Sequence, residues 1–106
     1  MQIIFSPVRK DTVLQLERRG DTLMVNDALF DFSDLEEGDA REVESDWVIG
    51  PVVRHAGMLR IMLLLSHGAQ APQETLFPEP LVVDVDGAIA VPPFEALHSD
   101  RETSGL

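Results

Sequence analysis

Residues 60–68 read RIMLLLSHG, five consecutive apolar residues closed by an abrupt polar stop. In a chain whose formal net charge is −11, so much adjacent hydrocarbon has to be hidden somewhere. Crossing a bilayer takes roughly 20 mostly apolar residues, so a run flanked by Arg60 and Ser66-His67-Gly68 is too short for a span. Carried back to Met58, the run alternates. Leu59, Ile61, Leu63 and Leu65 share a wholly apolar face, while Met58, Arg60, Met62 and Leu64 share a mixed one. That period of two predicts a strand with one face on a core. Met62 and Leu64 are then surplus, and a second layer or a neighbouring chain has to cover them.

Working outward from this strand, the preceding WVIGPVVRH (47–55) is rich in β-branched residues but broken at Gly50-Pro51, which reads as an edge, bend or bulge. His55-Ala56-Gly57 supplies a turn, so Val52–Leu65 is predicted as a hairpin. Further upstream, Asp21–Phe32 is a second hairpin about Asn26-Asp27, residues that tolerate positive φ. Its return arm points Phe30 and Phe32 to one side and Leu29 and Asp31 to the other. Gly20-Asp21 marks a turn before it, and Gln2–Phe5 reads as a short first strand ended by Ser6-Pro7. Downstream, Leu81–Val85 and Ala88–Val91 flank Asp86-Gly87, a third hairpin signal. Leu76-Phe77 is expected to tuck over a sheet edge.

These pieces predict an all-β fold of roughly six to eight strands, a small antiparallel sandwich or partly open barrel built from sequential hairpins. Residues 1–93 form its single domain. The expected core is Ile3, Phe5, Leu14, Leu16, Leu23, Val25, Phe30, Phe32, Val48, Val53, Leu59, Ile61, Leu63, Leu65, Val82 and Ile89. Residues 33–46, crowded with acids around one arginine and one glycine, read as a solvated loop with at most a helical turn near Leu35. The polar segment 94–106 reads as a flexible C-terminal tail.

Composition narrows the function classes. One modest core is all that 106 residues allow. With 19 acidic residues against 8 basic ones, the chain lacks the basic footprint that nucleic acid or an anionic membrane surface demands. Without cysteine there is no disulfide framework and no thiolate chemistry, which suits a cytosolic protein. MQIIFSPVRKD lacks the order of a secretory signal, which places charge first and a longer apolar stretch after it.

Candidate chemistry is thin. His55, His67 and His98 fall in no ligand spacing, and His55 and His67 flank opposite ends of one strand, so no metal site is expected. Neither Asp31–Asp39 nor Asp84-Val85-Asp86-Gly87 has the spacing of a calcium loop. There is no nucleophile elbow around Ser66-His67 and no glycine-rich phosphate loop. No catalytic residue and no cofactor is therefore nominated, and the chain is expected not to be an enzyme. Trp47, the single tryptophan, reads first as a cap on the core and second as an interface anchor, a role in which tryptophan is enriched. Trp47, Met62 and Leu64 are the candidate partner-interface residues.

Taken together, IIFSPVRKD, GDTLMVNDALFDFSDLEEG, WVIGPVVRHAGMLRIMLLLSHG and FPEPLVVDVDG cover most of residues 1–92. With these segments the chain resembles a group of small uncharacterised proteins encoded in the tail regions of phages and prophages. The resemblance implies a structural or assembly role in a virion tail, with other phage tail or assembly proteins as partners. It also implies a place in the bacterial cytoplasm during assembly and then in the virion. It transfers no catalytic residue. Self-association is one way for such a domain to cover exposed strand edges. The alternative is a small ligand- or carbohydrate-binding β module, which would want an aromatic platform; this chain has one tryptophan and no tyrosine.

Overall fold

The leucine-rich run becomes strand β7, Met58–His67. The structure, a computed structural model, describes residues 1–95. Leu59, Ile61, Leu63 and Leu65 are buried, while Arg60 and Met62 between them reach solvent. Each leucine buried in this way contributes about 1.5–3 kcal/mol relative to leaving it in water. Such a strand has to sit at the centre of a sheet, and it does. β1 (Gln2–Arg9), β5 (Ala40–Arg41), β6 (Val52–His55) and β8 (Leu81–Val82) join it in the order β5-β6-β7-β1-β8. β2 (Leu16–Arg19), β3 (Thr22–Val25), β4 (Ala28–Asp31) and β9 (Gly87–Ile89) make a second sheet, β4-β3-β2-β9. One helical turn, α1 (Gln73–Leu76), lies between β7 and β8.

The fold is all-β: two mostly antiparallel sheets share one core and do not close into a barrel. Ile3 and Phe5 of β1 join the β7 leucines from one side, and Leu16, Leu23, Val25 and Phe32 meet them from the other. The hairpins at Asn26-Asp27 and Ala56-Gly57 form where the sequence places them, and Gly20-Asp21 closes a further one between β2 and β3. Ala56 and Gly57 both take left-handed φ, 53° and 77°, which lets a two-residue loop match the twist of its strands.

Several expectations need correcting. β1 does not end at Ser6-Pro7; it runs on to Arg9, and it pairs with β7 in parallel, Gln2 opposite Arg60 through Arg9 opposite His67. Met1 bonds to Val83 and Lys10 to His67, so odd-numbered backbone groups of β1 point toward β8 and even-numbered ones toward β7. Pro7 is odd and lies beyond the two residues that β8 covers, so no ladder bond is lost there.

The third predicted hairpin does not form. β8 pairs with β1 in the first sheet and β9 with β2 in the second, so Asp86-Gly87 lies on the crossover between sheets. The Asp86 carboxylate accepts the Gly20 N–H at 2.8 Å and faces Arg18 at 3.4 Å, which ties the crossover to the β2–β3 turn.

Two valines trade places with their neighbours. Val53 lies opposite Arg60 and faces outward with it, leaving Val52 inside; Val82, opposite Gln2, is exposed and Val83 is buried. A shift of one residue moves a strand's side chains to the other face. Phe30, Val48 and Ile89 are half-buried against the core, which also takes in Leu35 and Trp47. Leu76 and Phe77 do not tuck inward. Thr75 does, fully buried, with its hydroxyl donating to the Pro93 carbonyl.

The acidic segment 33–46 is more than a wet connection. Leu35 is buried, Ala40–Arg41 pairs with β6, and no helical turn forms at Leu35. Arg54 of β6 straps the segment down: its guanidinium donates to the carbonyls of Leu35 and Phe32 and to the Asp21 carboxylate. Glu37 accepts the N–H groups of both turn residues, Ala56 at 2.6 Å and Gly57 at 2.8 Å. Of the expected tail, the Phe94 carbonyl accepts the Gly68 N–H and Glu95 accepts that of Gln70; residues 96–106, with His98, lie outside the described residues.

Candidate functional site

The outer face of the five-stranded sheet follows from register, because residues opposite each other across a ladder share a face. One row runs Val82, Gln2, Arg60, Val53; the next pairs Ile4 with Met62, and the third Ser6 with Leu64. This face is largely aliphatic, although one sheet face in a two-layer fold is ordinarily polar. It is also concave. The edge beside β7 continues past β6, with Val48 opposite Leu63 and the Ile49 N–H on the Met62 carbonyl. Four residues separate Val48 from Val53, but only two separate their partners Leu63 and Arg60, so the edge carries two extra residues. Gly50 absorbs that excess at φ 69°, a conformation a side chain would strain. Ile49, Gly50 and Pro51 thus make one wall of a groove of about 410 Å³ whose remaining lining is Ile4, Val53, Arg60, Ile61 and Met62.

Of the three nominated interface residues, the structure brings only Met62 into this groove, 38% exposed. Leu64 lies one row further along, half-buried and packed against the core. Trp47 takes the core role: it is 9% exposed, its N–H is held by Ser45 Oγ, and its carbonyl accepts the Leu64 N–H. The Lys10 ammonium stands 4.8 Å from the Trp47 ring centroid, a cation–π contact. Sequence reasoning missed Ile4, Ile49, Pro51 and Val53. Ile4 was within reach, since it alternates with Ile3 and Phe5 just as Met62 alternates with Ile61 and Leu63.

The groove's electrostatics rest on one residue. Arg18, Arg19, Arg41 and Arg54 each hold a carboxylate, whereas Arg9 and Arg60 are exposed with no carboxylate partner among the described residues, and of these two only Arg60 lines the groove. The carboxylates whose pKa is displaced lie elsewhere, Glu37 in a turn of the acidic segment and Asp31 at the end of β4. Glu37 is held below its ordinary value by the N–H groups of Gly57 and Ala56, and Asp31 by hydrogen bonding from Ser33. His55 and His67 stand at opposite ends of β7, and no group of three or more metal-ligating side chains gathers among the described residues. No helix of the described residues is long and apolar enough to cross a membrane. The arrangement offers an aliphatic recess with a single cationic rim, suited to taking up an apolar side chain beside an acid. No family model, no curated protein and no solved structure matches the chain.

Proposed function

We propose that this chain is a non-enzymatic structural or assembly protein of a phage or prophage tail, acting through protein–protein contacts on the outer face of its five-stranded sheet. The observation that carries the reading is the exposed aliphatic groove around Met62. A solvated sheet face gains nothing from such a recess, and contiguous exposed apolar surface marks interaction sites. The segments that resemble tail-region proteins include both walls of the groove, IIFSPVRKD and WVIGPVVRHAGMLRIMLLLSHG. Its partners on this reading are other tail or assembly proteins, met in the bacterial cytoplasm and retained in the virion. A ligand- or carbohydrate-binding module draws less support, because the groove is lined mainly by aliphatic side chains and offers no aromatic ring for stacking.

The test is co-sedimentation with tails purified from the phage or prophage whose genome carries the gene. The native chain is expected in the tail fraction. Met62→Lys, which places a charge on an exposed position, is expected to keep the circular dichroism spectrum and drop out of that fraction. A chain absent from tails and from their assembly intermediates would end the tail reading, and a Met62→Lys chain that stays bound would end the role of this face.

A further inference from the structure

The segment Phe77-Pro78-Glu79-Pro80 leaves α1 with Phe77 72% exposed, more than any other large apolar side chain described. The exposure is held in place, because the segment is anchored at both ends. The Phe77 N–H donates to the Gln73 carbonyl at 2.9 Å, and Leu81 pairs with Ile3 in the sheet. Prolines at 78 and 80 restrict the backbone between these anchors, so binding through it costs little additional ordering. Glu79, two residues on, is exposed and has no ion-pair partner among the described residues. An exposed aromatic ring and, two residues on, a carboxylate without an ion-pair partner among the described residues are what one half of an interface would present.

The other half lies on the same chain. The groove around Met62 is mainly aliphatic, has room for a phenyl ring, and carries at its rim Arg60, which has no carboxylate partner among the described residues. We infer that the occupant of this groove is Phe77 of a second copy, with Glu79 of that copy set against Arg60. The inference rests on the proposal that this face is a docking surface, and it names the partner. Each copy carries both halves, so the contact is either reciprocal about a two-fold axis, giving a dimer, or head-to-tail, giving a longer assembly. With −11 on every chain, long-range electrostatics oppose association. The attraction therefore comes mainly from apolar burial, and the exposed Arg60–Glu79 pair fixes the register more than it adds affinity.

Sedimentation velocity on the full chain from about 5 µM to 1 mM, a range spanning weak to moderate affinity, reads the result directly. The expected outcome is a reversible rise in mass above the 11.7 kDa monomer. Phe77→Ala, at a site too exposed to threaten folding, is expected to weaken association about tenfold or more, as removal of an aromatic anchor does. Arg60→Glu and Glu79→Arg are each expected to weaken it several-fold, and the double variant to recover most of the loss, which only a direct contact produces. A chain that stays monomeric to 1 mM, an association indifferent to Phe77→Ala, or a double variant no better than the singles would overturn the inference. A monomer that still enters purified tails through Met62 would overturn self-association while leaving the docking face in place.

Discussion

The β6–β7 hairpin and the Leu81–Ile89 segment carry the same local signal, two apolar runs about an X-Gly pair, yet only the first folds back on itself. At Ala56-Gly57 the flanking strands are neighbours in one sheet. At Asp86-Gly87 each flank finds a better partner far away: Leu81 and Val82 beside the start of β1, Gly87 to Ile89 beside β2. The difference lies in what each arm can bury. β7 has four inward leucine and isoleucine positions, whereas Leu81–Ile89 turns in only Val83 fully. A turn signal licenses a reversal, and buried area on both arms is what selects it.

The largest effect that would break this comparison is a cavity under β7. Leu63→Ala removes a side chain that is fully buried and is expected to cost about 2–5 kcal/mol. Val82→Ala, at a position 57% exposed on the other segment, is expected to change stability by no more than about 0.5 kcal/mol. Urea unfolding of the two variants measures both. Equal losses would mean that the two segments are anchored alike, contrary to the burial pattern.

What could be read in advance followed the range of the interactions. The unequal faces of β7, the hairpin at Asn26-Asp27 and the bulge at Gly50-Pro51 depend on alternation and on residues with special backbone tolerance, which are local. The parallel pairing of β1 with β7 joins residues 58 apart in sequence, Gln2 and Arg60 among them, and nothing near either strand announces it. The same holds for Arg54, whose three partners come from the β2–β3 turn, the residue just after β4 and the acidic segment. The candidate site was half legible for this reason. Met62 stood out as surplus on its own strand, while Ile4, Ile49 and Pro51 reach it only through register.

An intermediate effect is expected at Asp86, the residue that pins the crossover. Asp86→Ala leaves the Gly20 N–H to solvent and removes the carboxylate facing Arg18, whose Nε is already buried without a partner. The loss expected is about 1 kcal/mol, ordinary for one mostly exposed hydrogen-bonding side chain. Amide exchange sharpens the point: Gly20 and the β2–β9 ladder should lose protection while β6–β7 keeps it. If protection fell equally in both places, the crossover would not be held separately from the hairpin.

The smallest effect belongs to the other turn. Glu37 caps Ala56-Gly57 from the acidic segment, and those two N–H groups hold its pKa below the ordinary 4.5. The folded state thus favours the carboxylate more than the unfolded chain does. The sign follows: the contribution is fully present above the unfolded-state value and is lost as pH falls through the lowered folded-state value. Glu37→Gln cannot titrate, so its melting temperature should lie slightly below the native one at pH 7 and converge on it as pH drops below about 4.5. Asp31, also lowered, titrates in the same acidic window and is common to both proteins, so the difference between the two curves isolates Glu37. Melting curves parallel from pH 7 to pH 3 would show that the carboxylate does not hold the turn, and that Ala56-Gly57 is set by strand burial alone.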